Sequence, residues 1–124
     1  MKTITVGLLG VVCIVLLGQS TRAGDFQPVD AYPRPGAVKI LENDRVIIWR
    51  VTFKKGVPTP LHVHKLDKVT VFLQDVTIAD TSADGKRDVW SAKAEDVYFS
   101  KAGTVHIEEG LNTTPRDVIA IEIK

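Results

Sequence analysis

The chain has 124 residues, with 16 Lys or Arg against 15 Asp or Glu, three His and one Cys, for a formal charge of +1. So even a balance excludes the strongly basic footprint of a nucleic-acid binder and gives no reason to expect a strongly anionic surface. The length suits a single domain built around one core.

Residues 1–23 read as a leader. Lys2 gives a short basic start, Ile4 to Gly18 is almost wholly apolar, and Gln19 to Ala23 is a polar stretch ending in a small residue. The apolar run is shorter than the roughly 20 residues that a spanning helix needs. The pattern predicts a secretory signal peptide cleaved after Ala23, hence an exported protein, periplasmic or extracellular, with no membrane segment after cleavage. Cys13 lies inside the leader, so the exported chain has neither a disulfide nor a thiol nucleophile. Loss of Lys2 and Arg22 leaves the acidic side chains one in excess.

Residues 24–37 form a proline-rich arm. Pro28, Pro33 and Pro35 remove backbone donors and bar a helix, so the segment is expected to be extended or looped. Short strand-like runs follow through residues 38–124. Arg45 to Phe53 puts Ile47, Trp49, Val51 and Phe53 on one face. Lys68 to Leu73 is apolar or β-branched after its lysine. Val76 to Ala79 and Arg87 to Ser91 flank an Asp84-Gly85 turn signal. Asp96 to Phe99, Val105 to Glu108 and Val118 to Ile123 complete the series. No window carries a helical period with start and stop signals. Short strands at near-regular spacing predict one all-β domain, a sandwich or closed barrel. Trp49, Phe53, Phe72, Trp90, Tyr98 and Phe99 are expected in its core or pocket wall.

The candidate chemistry lies in the three histidines. His62 and His64 stand one residue apart at the head of a strand-like run, and strand geometry turns them to one face. His106 is the third. Three neutral imidazoles and a water suit zinc, copper, nickel or iron, and a hydrogen-bonded, metal-free pocket lining is the alternative. Glu108 is two residues beyond His106 and so shares its face, as a fourth ligand or as a salt-bridge partner of Lys68. Lys68 stands where such a site would usually carry an acid. Its ammonium beside a divalent ion is repulsive by several kcal/mol, about 8 at 4 Å and an effective dielectric near 20. Lys68 must therefore swing away, lose its proton, or accompany an empty site. Asp67 is one residue out of phase with Lys68 and is the lesser candidate.

The stretch Gly56-x5-His62-x-His64-x3-Lys68, with Asp96-Val97 and then Gly103-x2-His106, resembles the cupin superfamily. Its first motif runs G-x5-H-x-H-x3/4-E-x6-G and its second G-x5-P-x-G-x2-H-x3-N. The likeness runs from about Glu42 to Ile123. Lys68 replaces the motif glutamate and Asp75 the glycine after it, while Glu95, Lys101 and Gly110 replace the glycine, proline and asparagine of the second motif. The resemblance implies a single-domain jelly-roll or double-stranded β-helix barrel with His62, His64 and His106 facing into its mouth.

Two functions follow as expectations. In the first, a divalent transition metal (zinc, nickel, copper, iron or manganese, at full or low occupancy) and a small organic ligand sit in the barrel, and the chemistry is that of a metal-dependent oxygenase, isomerase or lyase. In the second, the barrel is a non-catalytic binding or sensing module with a degenerate metal site and Lys68 as its anion contact. Whether the protein is an enzyme stays open between them. No nucleic-acid partner is expected. The arm or a sheet face leaves room for a homodimer.

Overall fold

A computed structural model describes residues 27–124; the expected leader and its cleavage point lie outside them. Among the described residues the secondary structure is all strand: β1 Val29–Asp30, β2 Ala37–Glu42, β3 Val46–Phe53, β4 His62–Val63, β5 Asp67–Phe72, β6 Val76–Ser82, β7 Arg87–Ala92, β8 Val97–Ser100, β9 Val105–Gly110 and β10 Arg116–Ile123. They form two five-stranded sheets, ordered β1-β4-β9-β6-β7 and β2-β3-β10-β5-β8.

Period-two alternation decides which faces meet. On β3 the buried positions are Trp49, Val51 and Phe53, with Arg50 exposed between them. On β10 they are Val118, Ala120 and Glu122, in register with Val51, Trp49 and Ile47 of β3. Val76 and Ile78 of β6 and Ala92 of β7 come from the opposite sheet and close the same core. Phe72 meets Trp90 edge-on, ring centroids 5.9 Å apart, so the aromatic pair bridges the two sheets. The expected single all-β barrel is the architecture found.

The strand boundaries differ from expectation where local pattern is weak. β2 shows no clean alternation because the register shifts between Lys39 and Leu41, which leaves Val38, Ile40 and Leu41 all exposed. β6 runs on to Ser82, past Ala79, because Asp80, Thr81 and Ser82 pair with β9 on one side. The arm is docked rather than loose. Val29 N–H donates to the Leu61 carbonyl and Ala31 N–H to that of Val63, a parallel pairing that the flanking prolines do not disturb. Phe99 corrects the expected core: on β8 it faces outward at 57% exposure, while the adjacent Tyr98 takes the inward phase against Phe72.

Candidate functional site

The register of the β4–β9 pair builds the site. His62 and His106 are direct cross-strand partners, which brings two distant segments side by side. His64 lies just beyond β4, where its N–H donates to the Thr104 carbonyl and its own carbonyl accepts from the Gly103 N–H. Gly103 has φ +92°, a conformation glycine adopts without strain, so this residue shapes the turn that seats His64. Gly110, at the end of β9, is required for a different reason. A Cβ there would stand 2.9 Å from the Phe53 Cβ, too close to fit.

The three imidazoles converge through their Nε2 atoms, 3.2 Å apart between His62 and His64 and 3.1 Å between His64 and His106. Ligand atoms of His62, His64, His106 and Glu108 all lie within 4.8 Å of one another, and all four residues are buried. Glu108 Oε2 is 3.7 Å from the His62 Nε2 and 3.9 Å from that of His106. Asp67 is elsewhere, with its Oδ1 accepting from the Ala102 N–H.

Hydrogen bonds fix the direction of two rings. The His62 Nδ1–H donates to the Pro60 carbonyl at 2.9 Å, and the His106 Nδ1–H to the Asp80 carboxylate at 3.0 Å. Neither a carbonyl nor a carboxylate can donate, so in the neutral rings the inward-facing Nε2 carries a lone pair. His64 Nδ1 is buried with no partner. With its proton on Nδ1, three lone pairs meet at one point; with it on Nε2, a single N–H faces two acceptors. Neither tautomer satisfies the cluster by itself.

Two cations reach the same atoms. Arg34, from the arm, donates through Nη1 to the His62 Nε2 at 3.1 Å and through Nη2 to Glu108 at 3.1 Å. Lys68 on β5 is buried, its Nζ 3.3 Å from the His64 Nε2. Burial pushes the Lys68 ammonium below its ordinary pKa, against the pull of Glu108. Burial alone would raise the Glu108 carboxyl, but the neighbouring Lys68, His106 and Arg34 charges outweigh it and hold the group below the usual carboxylate range. Burial lowers His62 to about 4 and, together with Lys68, lowers His64 to about 3, so both rings are neutral at pH 7.

The donor set fits a divalent metal. Two imidazole nitrogens each about 2.1 Å from an ion, and 3.1–3.2 Å from each other, subtend roughly 100° at it, between octahedral and tetrahedral values. The Pro60 and Asp80 acceptors are the outer partners that hold metal-binding imidazoles in one tautomer. Beyond the cluster lies a cavity of about 90 Å³, reached by Lys68, His106 and Glu108 on one side and walled by Phe53, Phe72 and Trp90 on the other.

Sequence reasoning missed Arg34 and Asp80. Asp80 did leave a signal, because it falls in the inward phase of Val76 and Ile78 where an apolar residue would be expected. Arg34 left none: its role depends on the arm docking beside β4. Trp49 was foreseen as core, but its Nε1–H donation to buried Glu122 at 2.9 Å was not.

No family model matches the chain, and no curated protein matches it. Among solved structures it is similar to a cupin domain from Bordetella pertussis, at 26% identity over 74% of this chain and 97% of that one, with a TM-score of 0.66. An RmlC-like cupin of double-stranded β-helix fold from Methanocaldococcus jannaschii matches 81% of this chain and 93% of its own at 11% identity and a TM-score of 0.57. Bacillus subtilis oxalate decarboxylase, described for its Mn(II) centres, matches 63% of this chain and 21% of its own at 19% identity and a TM-score of 0.50. The two sheets that wrap around the histidine mouth are those of the double-stranded β-helix, the fold the chain shares with these cupin domains.

Proposed function

We propose that this is an exported protein that holds a divalent transition metal through His62, His64 and His106, with Glu108 as a fourth ligand, and takes a small organic molecule into the cavity behind them. The observation that carries the reading is the inward aim of the imidazole lone pairs, enforced from outside by Pro60 and Asp80. Manganese centres in an oxalate decarboxylase of similar fold support it. When bound, a divalent metal supplies Lewis-acid or oxygen-binding chemistry, as used by oxygenases, isomerases and lyases. This chain's own residues do the rest. Pro60 and Asp80 keep the rings oriented, Phe53 and Phe72 exclude water from one wall, and Lys68 offers its Nζ to an anionic substituent, while Arg34 holds His62 and Glu108 from the far side. A cavity of about 90 Å³ restricts the ligand to a few heavy atoms.

A specific observation favours a second reading, a metal-free binding or sensing pocket. Arg34 and Lys68 already stand within hydrogen-bonding distance of two of the three ring nitrogens. The two readings separate on one pair of variants. If metal is the occupant, Lys68→Glu removes a cation and adds a ligand, and metal affinity rises by an order of magnitude or more in a chelator competition assay. Small organic acids then stabilise the protein only when metal is present. If the pocket works without metal, the same acids raise the melting temperature of metal-stripped protein and Lys68→Ala abolishes the effect. That result, with Lys68→Glu leaving metal affinity unchanged, would overturn the metal reading.

A further inference from the structure

The two cations at the mouth are anchored differently. Lys68 stands inside β5, paired with β10 on one side and β8 on the other. Arg34 lies in a loop of the arm that is pinned at its ends, where the Ala31 N–H donates to the Val63 carbonyl and the Gly36 carbonyl accepts from the Thr52 N–H. Between those points Pro33 and Pro35 have no N–H to give a strand, and the Arg34 carbonyl accepts from Ala37 within the arm itself. The side chain is buried all the same, because His62 and Glu108 hold its guanidinium. Arg34 also lines two recesses of about 280 Å³ each. One continues along Val57, Thr59 and Pro60. The other runs past Tyr32 and Pro60 to His62, and so meets the cluster from the arm side.

We infer that Arg34 is a plug in the metal-free protein: its guanidinium occupies the lone pair of His62 and must withdraw into a flanking recess before His62 can ligate a divalent metal. The inference rests on the metal reading above. The Nδ1–H of His62 is committed to the Pro60 carbonyl, so its Nε2 is an acceptor with one lone pair in the ring plane. That lone pair can accept an N–H or bind an ion, but not both, and Arg34 Nη1 takes it at 3.1 Å. Glu108 is freer, since its Oε2 accepts from Nη2 while the second carboxylate oxygen stays open to an ion. The plug also keeps the metal-free mouth together. It sets a cationic donor between a ring lone pair and a carboxylate oxygen 3.7 Å apart, which would otherwise repel. Withdrawal has a landing place: the Tyr32 ring lines the recess that reaches His62, and its centroid is 5.1 Å from the Arg34 Cζ, in cation–π range. A site closed by a resident group binds more weakly in proportion to the fraction of time it is open, about tenfold if it is open one-tenth of the time.

Zinc uptake by the full chain, processed by an exporting host and stripped with a chelator, tests the plug by stopped flow and by chelator competition. The wild-type rate should level off as zinc concentration rises, because withdrawal of Arg34 comes first. Arg34→Met keeps an apolar stem and leaves Lys68 to face Glu108. Its uptake rate should grow in proportion to zinc, and its dissociation constant should fall by roughly tenfold or more. Lys86→Met, which removes the same charge on the turn between β6 and β7, should match the wild type. NMR of the Arg34 Nε–H in the native chain gives a reading that needs no variant: zinc should shift its resonance and speed its exchange with water. Equal affinity and one shared, proportional rate law in wild type and Arg34→Met would overturn the plug and leave the metal reading standing. An Arg34 resonance untouched by stoichiometric zinc would do the same. A chain that takes up no zinc with or without Arg34 overturns the plug as well, and uptake of the other ions then decides the metal reading.

Discussion

The mouth of the barrel and its floor are buried to the same degree, yet they are made of opposite materials. The floor is aliphatic and aromatic: Val51, Phe72, Val76, Ile78 and Val118 are each no more than 2% exposed. The mouth is polar: His62, His64, Lys68, His106 and Glu108 are sealed off nearly as well. Burial of the floor removes apolar surface from water and drives folding. Burial of the mouth strips ionisable groups of hydration and is tolerated only because each group has a counter-charge or a hydrogen-bond partner close by. A core built for stability alone would not be composed in this way, which makes the mouth the place to look for function.

The largest expected effects come from breaking one member of each region. Phe72→Ala should cost about 3–5 kcal/mol in urea unfolding, because it opens a cavity against Trp90 and Tyr98. Glu108→Ala should cost about 3–5 kcal/mol too, for the opposite reason: it leaves Arg34 and Lys68 buried without their common counter-charge. The two changes part company when a second substitution is added. Arg34→Met with Lys68→Met should recover most of the Glu108→Ala loss, and should do nothing for Phe72→Ala. If the triple variant is no more stable than Glu108→Ala alone, the charge account of the mouth fails.

A smaller effect sharpens the boundary between the regions. Trp49 belongs to the floor by its ring and to the mouth by its Nε1–H, which donates to buried Glu122. Trp49→Phe keeps much of the apolar contact and removes that donor, so a loss of about 1–3 kcal/mol is expected. Repeating the substitution in a Glu122→Gln background should shrink the loss, because the carboxylate stranded by the change is no longer charged.

Proton linkage gives the most graded contrast. His62 and His64 hold protons less tightly when folded, at about 4 and about 3, than at their ordinary value of 6.5. Between those limits the unfolded chain binds more protons than the folded one, so stability falls as pH drops. The metal-free protein should therefore be most stable above about pH 6.5 and weaken steadily towards pH 4. Glu108, held below the ordinary carboxylate range, extends the loss to lower pH. A His62→Leu, His64→Leu double variant should show a much flatter profile between pH 6.5 and 4. An equally steep profile would place the titrating groups elsewhere.

Most of the floor could be read from the sequence, because period-two alternation on β3 and β10 is a local signal. The mouth was legible where two local signals coincided: His62 and His64 share a strand face, and Glu108 keeps phase with His106. What escaped were relationships set by tertiary registration. Arg34 follows Pro33 on a segment with no periodicity, and it reaches the site only because β1 pairs with β4. Phe99 was placed in the core by its residue type, and the phase of β8 turned it outward. β2 escaped because a register shift breaks its alternation. Lys68 could be seen as a departure from the motif, but its burial against His64 needed three dimensions.

Metal stoichiometry under equilibrium dialysis reaches the central claim most directly. Protein stripped with a chelator and dialysed separately against zinc, nickel, copper, iron and manganese should take up close to one equivalent of at least one of them. Single His62→Ala, His64→Ala and His106→Ala variants, each folded by circular dichroism, should lose that uptake. Less than about a tenth of an equivalent of every ion, or full uptake in all three variants, would contradict it.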